Sequence, residues 1–117
     1  MINQATIPQH WPFPSFQHIF SRLTHAKVYA TIDLLDGFWQ APLHQDAQEY
    51  FSFATDRMVF TPNRVIQGSK NASHHFQSLI CLILKKYLDV SVLIYIDDIL
   101  VYAADIQTLC KILKEIL

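Results

Sequence analysis

Glycine and cysteine each occur only twice in this chain of 117 residues, and just 16% of its residues are charged. Cys81 and Cys110 are too few for a disulfide framework and match no zinc spacing, so both are expected to be small buried apolar residues in a reducing compartment. Two glycines and five prolines exclude collagen-like and low-complexity character. A net charge of -1 carries no basic footprint, so any nucleic-acid function has to be argued from a site. No basic region followed by an apolar core opens the sequence at Met1-Ile2-Asn3-Gln4, and an intracellular rather than secreted protein is expected. The longest apolar stretch, Val90 to Ala104, is broken by Asp97 and Asp98 and falls short of the ~20 residues a spanning helix needs, so no membrane partner is expected. What is abundant is apolar surface, 51% of residues, which excludes disorder. The length suits one domain, or a piece of a larger one.

Residues 1–14 read as an extended lead-in, held open by Pro8, Pro12 and Pro14. Ser15 is a candidate N-cap for a short helix carrying Phe16, Ile19, Phe20 and Leu23 at helical spacing. Lys27 to Leu34 is rich in β-branched and aromatic residues and reads as a strand ending near Asp33, with Leu35-Asp36-Gly37 as punctuation. Tyr50–Thr55 and Met58–Thr61 predict a hairpin around Asp56-Arg57. After Gly68-Ser69, the stripe Phe76, Leu79, Ile80, Ile83, Leu84, Tyr87 and Leu88 predicts a long helix with Lys85 and Lys86 in its last turns. Two apolar arms flank Asp97-Asp98. A final helix is expected after Asp105, with Ile106, Leu109, Leu113 and Ile116 inward. This order implies an α+β fold, an antiparallel β-sheet packed on helices.

The chemistry concentrates at Tyr95-Ile96-Asp97-Asp98-Ile99-Leu100. Adjacent residues of an unbroken strand point to opposite faces, so two acids in mid-strand would drive one carboxylate into the core. The mirrored arms, Ile96 with Ile99, Ile94 with Val101 and Val92 with Ala103, instead predict a hairpin with Asp97-Asp98 at its tip. Two carboxylates ~4 Å apart repel by about 1 kcal/mol in water and about 4 kcal/mol near a protein surface. Oxygen-only ligands of this kind suit Mg²⁺, completed by substrate phosphates. With Asp33 beside the hairpin, three acids would meet at one sheet edge, a cluster able to hold two metals. On composition alone a solvated turn is the alternative for Asp97-Asp98, and a surface acid or cap for Asp33.

Tyr95-Ile96-Asp97-Asp98, followed by Ile-Leu-Val-Tyr, resembles the Tyr-x-Asp-Asp box of reverse transcriptases, as found in gypsy-like LTR retrotransposon pol polyproteins. Thr31-Ile32-Asp33-Leu34-Leu35-Asp36-Gly37-Phe38-Trp39-Gln40 resembles that family's first catalytic strand and turn. Arg64-Val65-Ile66-Gln67-Gly68-Ser69-Lys70-Asn71-Ala72-Ser73, then Phe76-Gln77, resembles the segment entering the long palm helix. The three boxes fall in the family's order and span roughly residues 6–110. The resemblance implies a polymerase palm-like fold, with residues 1–117 a palm-core fragment whose fingers N-terminus, thumb and ribonuclease H lie outside it. It implies RNA-directed DNA polymerase chemistry, two-metal nucleotidyl transfer adding deoxynucleotides to a primer 3′-hydroxyl, with Asp33, Asp97 and Asp98 as catalytic and metal-binding residues. The ions would be two Mg²⁺, with Mn²⁺ as a substitute. The partners would be an RNA or DNA template with its primer, deoxynucleoside triphosphates and the remainder of a pol polyprotein, in cytoplasm or a virus-like particle.

The same resemblance assigns Phe38 as a steric gate beneath the sugar, Gln67 and Gly68 to the nucleotide and template, and Tyr95 to the primer end. For Phe38 the alternative is core packing; for Tyr95 it is strand packing. Asp36 fits turn chemistry, adjacent His74 and His75 cannot share a helix face as ligands, and Lys70 and Lys86 fit a solvated face. The family usually has Pro where Ile66 stands and often Pro where Ser73 stands, so a looser nucleotide pocket is expected. Isolated, the 117 residues are expected to show little or no activity. A non-catalytic, retrotransposon-derived interaction module is the competing reading, and an unrelated Mg²⁺-dependent phosphohydrolase a third.

Overall fold

A computed structural model of the chain describes residues 2–117; residue 1, the first of the expected lead-in, lies outside them. The lead-in is not extended throughout, because Ile2–Ala5 forms a single helical turn, α1. Neither proline nor glycine falls in those residues to prevent it, and Thr6 closes the turn by donating its N–H to the Ile2 carbonyl at 3.0 Å. From there the chain runs along the loop before the long helix. Asn3 Nδ2 donates to the Gly68 carbonyl, Lys70 Nζ to the Thr6 carbonyl and Asn71 Nδ2 to the Ile7 carbonyl. Lys70 is exposed, as expected of a solvated face, and also tethers the lead-in.

Helix α2, Phe16–Leu23, begins where Ser15 Oγ accepts from the His18 N–H. Strand β1, Val28–Asp33, follows, then the one-turn helices α3, Gly37–Gln40, and α4, Gln45–Gln48. Strands β2, Phe53–Ala54, and β3, Val59–Phe60, form the expected hairpin in shortened form, because Tyr50 and Phe51 are taken into a 3-10 turn. Helix α5, Ala72–Ile83, is shorter than its apolar stripe suggests. The Leu84 N–H caps the Ile80 carbonyl, and Leu84, Tyr87 and Leu88 continue to pack from turns. Lys86 consequently reaches α6, Ile106–Ile116, where Nζ lies 3.1 Å from Glu115 Oε2.

Strands β4, Val92–Tyr95, and β5, Asp98–Ala103, complete a three-stranded antiparallel sheet of order β1-β5-β4. One face, with Ile32, Ile99, Val101, Val92 and Ile94, packs on α5 and α6 around Phe76, Ile80 and Leu109. Ile106 is exposed, so the inward stripe of α6 is Leu109, Ile112, Leu113 and Ile116. Cys81 is buried as expected and burial pushes its thiol pKa up, whereas Cys110 is exposed.

Gly37 is needed for space. A Cβ there would stand 2.8 Å from Phe76 Cζ, at the centre of the core. Gly37→Ala is expected to cost about 1–3 kcal/mol through overpacking, read as a lower denaturant midpoint at unchanged slope.

The radius of gyration, 17.5 Å, exceeds the roughly 13 Å of a compact chain this long. Phe16, Phe20, Tyr50, Phe53, Met58 and Val59 are left exposed along its 55 Å length.

Candidate active site

The two strands that carry the acids meet residue for residue. Asp33 pairs with Asp98 at the end of the β1·β5 ladder, and Tyr95 pairs with Asp98 across β4·β5. The Tyr102 N–H donates to the Ser91 carbonyl at 2.9 Å, so the even-numbered residues of β5 turn their backbone bonds toward β4. Asp98 is thus bonded to Tyr95 and faces Asp33 as a non-hydrogen-bonded pair, the kind in which Cα atoms come within about 4.5 Å and side chains lie closest. Asp97 is one residue away in the turn, so its Cα lies no more than about 9 Å from that of Asp33. Asp33 and Asp98 are exposed, and Asp97 is half-buried.

The turn differs from the mirrored-arm expectation. Ile94 pairs with Ile99 and Val92 with Val101, a register displaced by two residues, which makes Ile96-Asp97 the tip and puts Asp98 inside β5. A two-residue slip leaves every side chain on its original face, so apolar symmetry does not distinguish the two registers. The turn requires a left-handed backbone at its first position, and Ile96 adopts φ 60. For a β-branched residue this costs about 1–3 kcal/mol, strain that persists only where surrounding contacts hold it.

The carboxylates are uncompensated. Among the described residues the ion pairs are His18–Asp89, His44–Asp46, Arg57–Asp56 and Lys86–Glu115, none of which includes Asp33, Asp97 or Asp98. Facing like charges are destabilising on a strand pair. The donor set, all carboxylate oxygen at a solvent-facing edge, suits a hard divalent cation. It is not a closed cage, however: no group of three or more His, Cys, Asp or Glu among the described residues is placed to hold an ion by itself. One or two carboxylates completed by substrate phosphates is the usual arrangement for Mg²⁺, so an open donor set remains a fit.

Tyr95 is half-exposed beside Asp98, with its ring 5.9 Å from that of Phe13, and so is not a core residue. Phe38 is half-buried, its ring 5.1 Å from that of Phe76. Gln67 and Gly68 are the central residues of a turn closed by the Ser69 N–H on the Ile66 carbonyl at 3.1 Å. Gly68 has φ 93, which only glycine adopts freely at the third position of such a turn, and a Cβ there would meet nothing within 4 Å. This turn joins the Phe38 loop through the Val65 N–H on the Ala41 carbonyl and Arg64 Nη1 on the Gln40 carbonyl. Among the described residues no hydrogen bond ties it to the three acids.

One residue given no role from sequence is prominent here. Gln77 is 1% exposed, its Nε2 donates to the Ile94 carbonyl at 3.0 Å, and its Oε1 accepts from the Ile96 N–H. The available signal was a polar amide directly after Phe76, at the start of the helix's apolar stripe, which must find partners when buried.

The chain is similar to known proteins over its whole length. The family described as "Reverse transcriptase (RNA-dependent DNA polymerase)" matches residues 1–117. The retrovirus-related Pol polyprotein from transposon opus of Drosophila melanogaster is 33% identical over 116 residues, 99% of this chain and 12% of that protein. The one from transposon gypsy is 30% identical over 102 residues, 87% of this chain and 10% of the other. The chain therefore spans about a tenth of the length of these polyproteins. Among solved structures, the foamy viral protease-reverse transcriptase in complex with RNA/DNA hybrid superposes with a TM-score of 0.84 at 25% identity, covering 98% of this chain and 15% of that one.

Proposed function

The chain belongs to the reverse transcriptase (RNA-dependent DNA polymerase) family, and from that premise we propose that its sheet edge is the nucleotidyl-transfer centre of an RNA-directed DNA polymerase serving retrotransposon replication. The observation that carries this is the direct opposition of Asp33 and Asp98 across β1 and β5, with Asp97 in the adjoining turn and no cation paired to any of them among the described residues. Asp33, Asp97 and Asp98 would hold two Mg²⁺ ions, or Mn²⁺ in their place. Bound there, they would supply Lewis acidity that favours a deprotonated primer hydroxyl and offsets negative charge on pyrophosphate.

The chain's own groups do the positioning. Asp33 and Asp98 supply oxygens from opposite strands, so the spacing of the site is set by the ladder rather than by a loop. Tyr95 presents its exposed ring on the same face as Asp98 and lies against the primer end. Phe38, backed by Phe76, fills the space below the sugar and excludes a 2′-hydroxyl. Gln67 hydrogen-bonds the incoming nucleotide through its amide, and the open side of Gly68 admits its close approach. The partners are a primed RNA or DNA template, deoxynucleoside triphosphates and the rest of a pol polyprotein. The setting is intracellular, in cytoplasm or a virus-like particle; no helix among the described residues is long and apolar enough to cross a membrane. A fold-only interaction module gives no use to opposed acids beside a strained turn.

The test replaces the matching segment of a foamy viral reverse transcriptase with this chain. Primer extension dependent on Mg²⁺ is expected, and a chimera that folds and binds primer-template but extends nothing would contradict the proposal. In the same chimera Phe38→Val is expected to raise ribonucleotide incorporation at least about tenfold relative to deoxynucleotide, measured as a ratio of kcat/KM values. An unchanged ratio assigns Phe38 to packing alone.

A further inference from the structure

Strand β4 lies at an edge of the sheet, so alternate backbone groups have no strand to bond. Tyr95 bonds inward to Asp98, which leaves those of Val92, Ile94 and Ile96 facing outward. The first are met by the connection from α5: the Val92 N–H donates to the Tyr87 carbonyl and the Val92 carbonyl accepts from the Asp89 N–H, both at 3.0 Å. Further along, the Ile94 carbonyl and the Ile96 N–H are met by one side chain. Gln77 donates to the Ile94 carbonyl and accepts from the Ile96 N–H, so its amide does for the hairpin tip what a fourth strand would do. Its remaining N–H reaches Cys81 Sγ at 3.5 Å, and no buried side-chain polar atom among the described residues is left unpartnered.

We infer that Gln77 is a positioning residue that holds the Ile96-Asp97 turn in its left-handed form, and through it sets where the Asp97 and Asp98 carboxylates stand opposite Asp33. Two facts converge on this. The residue gripped, Ile96, is the one whose backbone is least willing to stay, at φ 60 with a β-branched side chain. The grip comes from α5, the helix that also seats Phe76 against Gly37 and Phe38, so one rigid element supports both the turn and the loop after Asp33. Without Gln77 the tip is free to slide toward the other two-residue register, in which Asp98 leaves the ladder and no longer faces Asp33.

The inference rests on the reading that these acids bind divalent ions, and its test separates the two. In the labelled 117-residue chain, a through-hydrogen-bond coupling between the Ile96 nitrogen and the Gln77 side-chain carbonyl carbon is expected. In Gln77→Met the Ile96 amide is expected to exchange at least about tenfold faster, while the Ile99 and Val101 amides bonded to β1 keep their protection. Mn²⁺ affinity, followed by paramagnetic broadening, is expected to fall at least about threefold, and adding Ile96→Gly, a residue at ease in that backbone, is expected to restore most of it. Absence of the coupling overturns the inference even if Gln77→Met fails to fold. Unchanged Mn²⁺ affinity in a folded Gln77→Met, or no recovery with Ile96→Gly, overturns it too. Asp33→Asn serves as the separate arm: if it leaves Mn²⁺ binding intact, the ion-binding reading fails, while the coupling and exchange still decide whether Gln77 holds the turn.

Discussion

Asp33→Asn is expected to make the metal-free chain more stable and the site far less able to take up a cation. Asp33 faces Asp98 across the closest kind of strand pair with no compensating positive charge among the described residues. Removing one of two opposed like charges relieves up to about 1 kcal/mol of repulsion, screened in part because both groups are exposed. The denaturant midpoint should therefore rise, more at low salt than at high salt. Ion uptake runs the other way. With one carboxylate gone, Mn²⁺ affinity should fall at least about tenfold, and polymerase activity in the chimera by about 10³, since an ion bound at the reacting oxygens contributes several kcal/mol. Opposite signs in the same variant are what distinguish a binding site from a structural cluster. A midpoint that falls in the absence of metal would mean that Asp33 stabilises the fold by itself, and the site would lose its main support.

Phe76→Ala is expected to have the largest effect on stability, about 3–5 kcal/mol, and to lower the Tm by about 15 °C or more. Phe76 is 1% exposed and is touched by Gly37 and Phe38 from the loop after β1. Truncation removes core area and opens a cavity beneath that loop. Thermal unfolding by circular dichroism reads the effect. A loss of less than about 1 kcal/mol would show that the loop closes onto the smaller side chain, and that Phe38 does not depend on α5 for its place.

The parts of the fold that were legible from sequence are those with local chemistry. Ser15 and Asp105 are caps whose acceptors are a few residues from their donors. The N–H and hydroxyl of Thr108 hold the Asp105 carboxyl below its ordinary carboxylate range, an interaction present at neutral pH and weakened as acid protonates it. Asp33 at the end of β1 followed from strand composition and the Asp36-Gly37 break, and Asp36 takes the left-handed backbone that suits a turn.

What sequence periodicity missed depends on contacts between distant residues. The apolar stripe from Phe76 to Leu88 is continuous, yet the helix stops at Ile83, because Leu84, Tyr87 and Leu88 remain packed in turns that also cap the edge of β4. The hairpin register was off by two residues, since the pattern of inward side chains is identical in both alignments. The contacts that accompany the observed register come from distant residues, Gln77, seventeen residues before Ile94, and Asp33, opposite Asp98 on another strand. The three acids could be singled out in the sequence, whereas the positive φ of Ile96 and its bond to Gln77 could not.

The most direct test of the account is where a paramagnetic divalent ion sits. Mn²⁺ titrated into the labelled chain with a deoxynucleoside triphosphate should broaden the amides of Asp33, Asp97 and Asp98 first and together, with Mg²⁺ reversing the effect in competition. Broadening that begins elsewhere, at Asp56 or Glu115 for example, or that persists unchanged in the Asp33→Asn, Asp98→Asn double variant, would contradict it.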